Sequence, residues 1–161
     1  MSETTILRRM EARDIESVTQ IQEATFEGRH GAATGFTGLQ LTEELVRPWS
    51  RLWVIEEKGW VHGALIAWHV VDEIHLLNVA VAPGAQRRGL GRRLVEGLLS
   101  YARDEGAVQI FLEVRVDNLP ALALYDAFGF EVLNERKNYY GDGASAFEMR
   151  LAISQRPALT P

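Results

Sequence analysis

The segment Ala85 to Leu94, AQRRGLGRRL, constrains this chain more than any other because of what flanks it. Before it, LLNVAVAP (Leu76 to Pro83) is an apolar run of strand length, closed by a proline that cannot donate to a ladder. After it, Leu90, Leu94, Leu98 and Ala102 recur every four residues, the buried stripe of a helix reaching about Gly106. Strand, glycine loop and helix start, in that order, aim unpaired backbone N–H groups and the positive end of a helix at an anion. Arg87, Arg88, Arg92 and Arg93 add full charges to those partial ones. A polyphosphate suits such a cradle. The competing reading is an arginine-rich helix start that is simply solvated.

Missing residues narrow the choice of polyphosphate. A nucleotide P-loop needs a lysine and then Ser or Thr after its last glycine, and here Gly91 is followed by Arg92. The dinucleotide fingerprint needs a small residue three positions after Gly91, where Leu94 stands.

With 161 residues, the chain lies within the single-domain range and is long enough for a sizeable core. No run approaches the ~18 apolar residues of a membrane span, and MSETTILRRM has no signal-peptide apolar region. The expectation is a cytoplasmic protein with no membrane partner. The absence of cysteine fits a reducing compartment and excludes both thiolate metal ligands and a covalent intermediate on a cysteine. His30, His62, His69 and His75 show no metal-binding spacing, so no metal is expected. A net charge of −5 argues against generic nucleic-acid binding and suits a cationic substrate.

Periodicity predicts one α/β domain over residues 1–153, with 154–161 (SQRPALTP) a disordered tail. Thr5 to Met10 reads as a strand, and a helix follows from about Asp14 with Ile15, Val18, Ile21 and Thr25 on one face. The glycine-rich FEGRHGAATGFTG reads as a long loop of the kind that carries function. Thr42, Glu43 and Glu44 suggest a short helix before Pro48. RLWVIEEK and WVHGALIAWHVV are paired strands around Lys58-Gly59, and EIHLLNVAVA is a third. QIFLEVR alternates as a strand, and LPALALYDAF is a short helix with Pro120 in its first turn and Gly129 past its end. FEVLNERKNYY and SAFEMRLAI make two more strands around Gly141-Asp142-Gly143.

Gln86-Arg87-Arg88-Gly89-Leu90-Gly91 resembles the acetyl-CoA pyrophosphate loop of the GNAT N-acetyltransferases. LEVRVDNLPALALYDAFGF (Leu112 to Phe130) is similar to the second signature of that superfamily, most closely in the ribosomal-protein alanine N-acetyltransferases of the RimI type. Arg136-Lys137-Asn138-Tyr139-Tyr140 continues the match, and GDGASAFEM is also similar to archaeal and eukaryotic protein N-terminal acetyltransferases. The resemblance implies a GNAT fold: a mixed, mostly antiparallel sheet of six to seven strands with about four helices. RimI-type enzymes carry a Pro-Trp-Ser near the loop after the first helix; here Pro48-Trp49-Ser50 stands just before a strand and is not equated with it.

An amine attacking a thioester must lose a proton, its oxyanion must be held, and the departing thiolate must be stabilised. Glu113 interrupts an apolar strand on the face shared with Phe111 and Arg115, and it is either paired with Arg115 or a neighbouring strand or free to take a proton. A carboxylate near pKa ~4.3 facing an α-amine near ~7.8 meets an uphill transfer of about 5 kcal/mol, which burial would reduce. A lysine acceptor, near ~10.4, is harder by another ~3.5 kcal/mol, so the energetics lean toward an N-terminal amine. Tyr125 shares a helix face with Ala121, Leu124 and Phe128, the spacing of a core aromatic. The resemblance implies that Glu113 is the proton acceptor and that Tyr125 protonates or hydrogen-bonds the leaving sulfur. It also implies that Asn118, otherwise a helix cap, contacts the pantetheine arm, and that the backbone of Val79, Ala80 and Val81 pairs with that arm and supplies an oxyanion donor. Arg87, Arg88, Gly89, Leu90, Gly91 and Arg92 would surround the pyrophosphate. Tyr139 and Tyr140 are either strand-edge aromatics or, as the resemblance implies, part of the wall holding the acceptor's N-terminus.

The expected activity is direct acetyl transfer in a ternary complex, from acetyl-CoA to a protein N-terminal amine, by a monomer or homodimer. The alternatives are a small-amine acetyltransferase and a catalytically silent acetyl-CoA-binding regulatory domain. The presence of both Glu113 and Tyr125 counts against the second of these.

Overall fold

A computed structural model describes residues 4–26 and 35–154. Most of the glycine-rich stretch, with His30, and nearly all of the tail lie outside the described residues. β1 (Thr5–Arg9) leads through a 3-10 turn to α1 (Ile15–Phe26), whose Val18 and Ile21 are buried as their spacing predicts. α2 (Gly38–Val46) begins four residues before the Thr42 that the sequence pointed to. Its start is a capping box: Gln40 N–H donates to the Thr37 hydroxyl (3.2 Å), and Thr37 N–H donates to the Gln40 side chain (2.9 Å).

β2 (Ser50–Glu57), β3 (Trp60–Val70) and β4 (Glu73–Val81) form an antiparallel meander with β1 on its outer edge. α3 (Leu90–Asp104) then crosses over so that β5 (Gln109–Arg115) lies parallel to β4. After α4 (Leu119–Ala127) come β6 (Glu131–Arg136) and β7 (Ala146–Ala152). β7 inserts between β5 and β6, giving one seven-stranded sheet in the order β1-β2-β3-β4-β5-β7-β6. β6 ends at Arg136, not at Tyr140. Residues 137–145 are a loop, so Tyr139 and Tyr140 are loop aromatics and not strand-edge ones.

The core lies on both faces of the sheet. α3 buries Leu90, Leu94, Leu98 and Ala102, the predicted stripe, together with Val95 and Leu99. Each large apolar side chain so buried contributes about 1.5–3 kcal/mol relative to exposure. They pack with Ile74, Leu76, Ile110, Leu112, Met149 and Tyr125 of α4. On the opposite face, α1 and α2 cover Leu52, Val54, Ala64 and Ile66 through Val18 and Leu41.

β4 and β5 pair only from Glu73–Leu76 against Gln109–Leu112. The cause lies on β4, where the register against β3 passes from Ala67↔Leu76 to Ile66↔Asn78 and leaves Leu77 as a bulge. A bulge bends its strand and ends pairing. Beyond it β4 stays with β3 while β5 stays with β7 over its whole length, so the sheet opens between Leu77–Val81 and Glu113–Arg115. Asn78 fixes the bend through a buried reciprocal amide pair with Gln22 of α1 (2.9 and 3.0 Å).

Candidate functional site

The opening in the sheet is a cleft of about 220 Å³. Leu77, Asn78 and Val79 of β4 form one wall and Glu113, Val114 and Arg115 of β5 the other. Asn118, Ala121 and Tyr125 close it from the α4 side, and Phe26, Phe36 and Tyr140 flank it. Residues distant in sequence, which the sequence marks by different signals, therefore meet here: Val79, Glu113, Asn118, Tyr125 and Tyr140. Phe26, Phe36 and Leu77 are additions. The two phenylalanines border the glycine-rich segment, and aromatics at both ends of such a loop were the available signal. Phe36 is tied down by its N–H, which donates to Gln22 Oε1 (3.1 Å).

Glu113 is exposed to the cleft, so the burial considered for it is not present in the free protein. Neither is the anticipated pairing with Arg115, whose guanidinium turns to Asp117 and Asp142. The β7 residue opposite Glu113 is another carboxylate, Glu148, which is bonded by Arg136 (2.6 Å). Glu113 thus has no ion-pair partner among the described residues and faces the cavity. Tyr125 is buried, with its ring 5.5 Å from that of Phe130, and its hydroxyl makes no hydrogen bond to another described residue. Burial, and secondarily the nearby Tyr140, pushes its phenol well above the usual tyrosine range. It is both a core aromatic and a cleft residue. Asn118 is likewise both, since its Oδ1 caps α4 by accepting from Ala121 N–H (3.3 Å) while the residue lines the cleft.

The arginine–glycine loop stands at the end of β4. Arg87 (φ 64°) and Gly89 (φ 75°) adopt left-handed backbone, and α3 begins directly after Gly89 with no side-chain cap. The first N–H groups of α3, at Leu90, Gly91 and Arg92, have no intrahelical acceptor. Leu90 buries its side chain in the core, so only its backbone is available to a ligand. Gly91 is the telling residue. A Cβ there would meet Leu124 and Val81 at an ordinary 3.8 Å, so packing does not require glycine. A helical glycine nonetheless costs about 1 kcal/mol against alanine. Gly97 differs, because a Cβ there would lie 2.2 Å from Leu7. Packing explains Gly97 and does not explain Gly91.

Two of the four loop arginines are engaged by carboxylates. Arg88 Nη2 donates to both oxygens of Glu57 (2.6 and 2.5 Å), which also accepts from the Thr5 hydroxyl. Arg92 pairs with Glu96 one turn on and lies 5.2 Å from the Phe128 ring centre. Tyr139 stands outside the cleft lining, edge-on to Tyr140 at 5.1 Å. Pro48-Trp49-Ser50 lies elsewhere, at the entry to β2, where the Ser50 hydroxyl donates to the buried Glu44 carboxylate. Among the described residues no three His, Cys, Asp or Glu side chains come together to hold a metal, and no helix is long and apolar enough to cross a membrane.

Comparison with known proteins agrees with this geometry. A Bacillus subtilis (strain 168) protein, provisionally named a ribosomal protein bS18-alanine N-acetyltransferase, is 32% identical over 151 residues, covering 92% of this chain and 96% of its own. The crystal structure of the Escherichia coli ribosomal-protein-S18-alanine N-acetyltransferase superposes with a TM-score of 0.84 at 28% identity, covering 98% of this chain and 99% of that one. A Salmonella typhimurium structure described with its cofactor acetyl-CoA shares the fold at a TM-score of 0.75 and 23% identity, covering 96% of each chain. The model of the acetyltransferase (GNAT) family matches residues 15–130. The chain belongs to that family.

Proposed function

We propose that this enzyme transfers the acetyl group of acetyl-CoA to the N-terminal α-amine of a protein, with the alanine terminus of ribosomal protein bS18 as the acceptor suggested by its relatives. One observation carries the reading: one cleft through the sheet has Glu113 of β5 on one wall, β4 as the other wall and Tyr125 at its base, with the loop Arg87–Arg92 following the end of β4. Such a cleft lets donor and acceptor meet directly, with no covalent enzyme intermediate, and the chain has no cysteine to form one.

Acetyl-CoA supplies the activated thioester. The backbone N–H groups at the start of α3, with Arg87 and its neighbours, hold the pyrophosphate, and Asn118 with the unpaired edge of β4 aligns the pantetheine arm. Glu113, unpaired and open to the cavity, takes the proton that the ammonium must lose before its nitrogen attacks the carbonyl carbon. One N–H of Val79–Val81 donates to the carbonyl oxygen as it gains charge. The carbon–sulfur bond breaks, and Tyr125 donates a hydrogen bond to the departing sulfur. Its raised pKa favours donation over full proton transfer, since a phenol less acidic than usual gives up its proton to a thiolate only uphill. Tyr140 and the pair Phe26 and Phe36 wall the acceptor side.

The deciding experiment presents the purified protein with acetyl-CoA and a panel of N-terminal peptides and small amines. Turnover concentrated on peptide α-amines, with lysine side chains slower, is the expected result. Preference for a small amine over every peptide overturns the acceptor assignment.

A further inference from the structure

β5 ends on Arg115, and the side chain of that residue is only 12% exposed although it sits at the mouth of the cleft. Its guanidinium makes four hydrogen bonds, all to carboxylates. It bonds both oxygens of Asp142 across the β6–β7 loop (2.8 and 3.2 Å) and both oxygens of Asp117 just after β5 (3.1 and 3.4 Å). It also lies 5.0 Å from the centre of the Tyr140 ring. Asp142 in turn accepts from Ala144 N–H (3.0 Å), and the loop closes on itself through Tyr140 N–H to Ala144 carbonyl (3.0 Å) and Gly143 N–H to Tyr140 carbonyl (2.9 Å). The Arg115 guanidinium, ahead of the Ala144 N–H, holds the Asp142 carboxyl below the usual carboxylate range.

An isolated surface ion pair is weak, but a bidentate arginine shared by two carboxylates and stacked on an aromatic ring is a geometric device. We propose that Arg115, Asp117 and Asp142 form a latch that seats Tyr140 against the cleft. Arg115 and Asp142 are then positioning residues for the acceptor. The inference rests on the reading that this cleft takes the acceptor amine. The loop connects β6 and β7, and its C-terminal end is held beside β5 by the Val116 N–H, which donates to the Ser145 carbonyl (3.1 Å). Tyr140 lies earlier in the loop, and the latch reaches that part through side chains, joining positions 27 residues apart. It has a second consequence: by engaging Asp117 and Asp142, Arg115 is kept from Glu113, two residues earlier on the same strand face.

The test uses Asp142→Asn, which keeps shape and removes charge, and Arg115→Lys, which keeps charge and removes the planar fork. Amide hydrogen exchange of residues 137–145 is read in the free protein, and KM is read separately for the peptide acceptor and for acetyl-CoA. Each variant should speed exchange at Tyr140, Gly143 and Ala144 by about 10-fold and raise acceptor KM by a similar factor, with acetyl-CoA KM within about twofold. The double variant should be no worse than the worse single one, because both break the same contact. Protection in α3 must persist, which separates loop release from unfolding. Unchanged loop exchange overturns the latch, as does faster exchange with unchanged acceptor KM. A wild-type protein that acetylates small amines but no peptide overturns the acceptor reading instead, and exchange together with small-amine KM still judges the latch.

Discussion

Replacing Gly91 separates binding of the ligand from stability of the fold. In Gly91→Ala the new methyl meets only Leu124 and Val81, both at 3.8 Å, and a helical position exchanges its poorest common residue for its best. The free protein should therefore melt no lower than wild type and up to ~2–4 °C higher, as a gain of about 1 kcal/mol implies. Affinity for acetyl-CoA should move the opposite way. A Cβ on the second residue of α3 keeps a phosphate oxygen from the N–H groups, and one lost charge-assisted bond of about 1.5–3 kcal/mol weakens binding ~10- to 150-fold. Gly91→Glu adds a like charge: at ~6 Å and an effective dielectric of ~20, each unit of phosphate charge is repelled by about 3 kcal/mol before salt screening. Two such charges, roughly halved by screening, still give a loss of ~100-fold from repulsion alone. Titration calorimetry with acetyl-CoA, beside thermal melts of all three proteins, measures both quantities. Gly91→Glu binding acetyl-CoA within about threefold of wild type, at an unchanged melting temperature, would refute the placement of the pyrophosphate at this helix start.

Glu113→Gln should lower the single-turnover acetylation rate by about 10²–10⁴ while acetyl-CoA affinity and melting hold, because Glu113 is exposed and stands opposite another carboxylate. Near-normal turnover at neutral pH would assign the proton to another acceptor. Tyr125→Phe keeps the ring against Phe130 and removes one donor; melting should be nearly unchanged and the chemical rate should fall ~10–10³-fold, whereas full activity would return Tyr125 to the core alone. Asp14 accepts from both Arg8 terminal nitrogens (2.8 and 2.9 Å) and from Glu11 N–H, and the Arg8 bonds chiefly hold its carboxyl below the usual range against burial. A depressed folded pKa stabilises above the unfolded value near ~3.9 and is lost as pH falls through the folded value. Asp14→Asn should therefore cost about 2 kcal/mol, or ~4–8 °C in melting, at pH 7, with the gap to wild type closing below pH ~4; a pH-independent gap would show that shape, not charge, matters there.

Periodicity located most of the elements because they bury one face; β6, exposed along its whole length, is held by its pairing with β7. The stripe Leu90, Leu94, Leu98 and Ala102 is buried throughout, and β5 occupies the QIFLEVR run that alternation marks. Where local signals compete, the boundary moves. α2 starts at Gly38 because the Thr37–Gln40 box satisfies its first amides, a stronger device than the Thr42 and acidic pair further along. β6 stops at Arg136 although Tyr139 and Tyr140 have strand propensity. Asn138 takes a left-handed backbone (φ 53°) at that point, and β7 offers no residue beyond Ala146 to pair with.

The site divides along the same physical line. Its local half was legible: a glycine loop before an amphipathic helix, a carboxylate in an apolar strand and an asparagine cap are all marked by neighbours in sequence. Its other half depends on where distant strands lie. That β4 and β5 separate follows from one extra residue, Leu77, in the register of β4 against β3, and no alternation pattern announces a bulge inside LLNVAVA, a run apolar except at Asn78. The charges illustrate the limit most sharply. Arg115 lies two residues from Glu113 on one strand face, and proximity in sequence suggested that they pair. The fold instead gives the fork Asp142, from a loop 27 residues away, together with Asp117 just past the end of the strand. Arg88 shows the same effect, held by Glu57 across 31 residues. Ionic partners are chosen by the tertiary geometry of the fork. The loop that carries Asp142 engages Arg115, and Glu113, two residues earlier on the same strand face, is left facing the cleft, an outcome that the strand's own sequence could not announce.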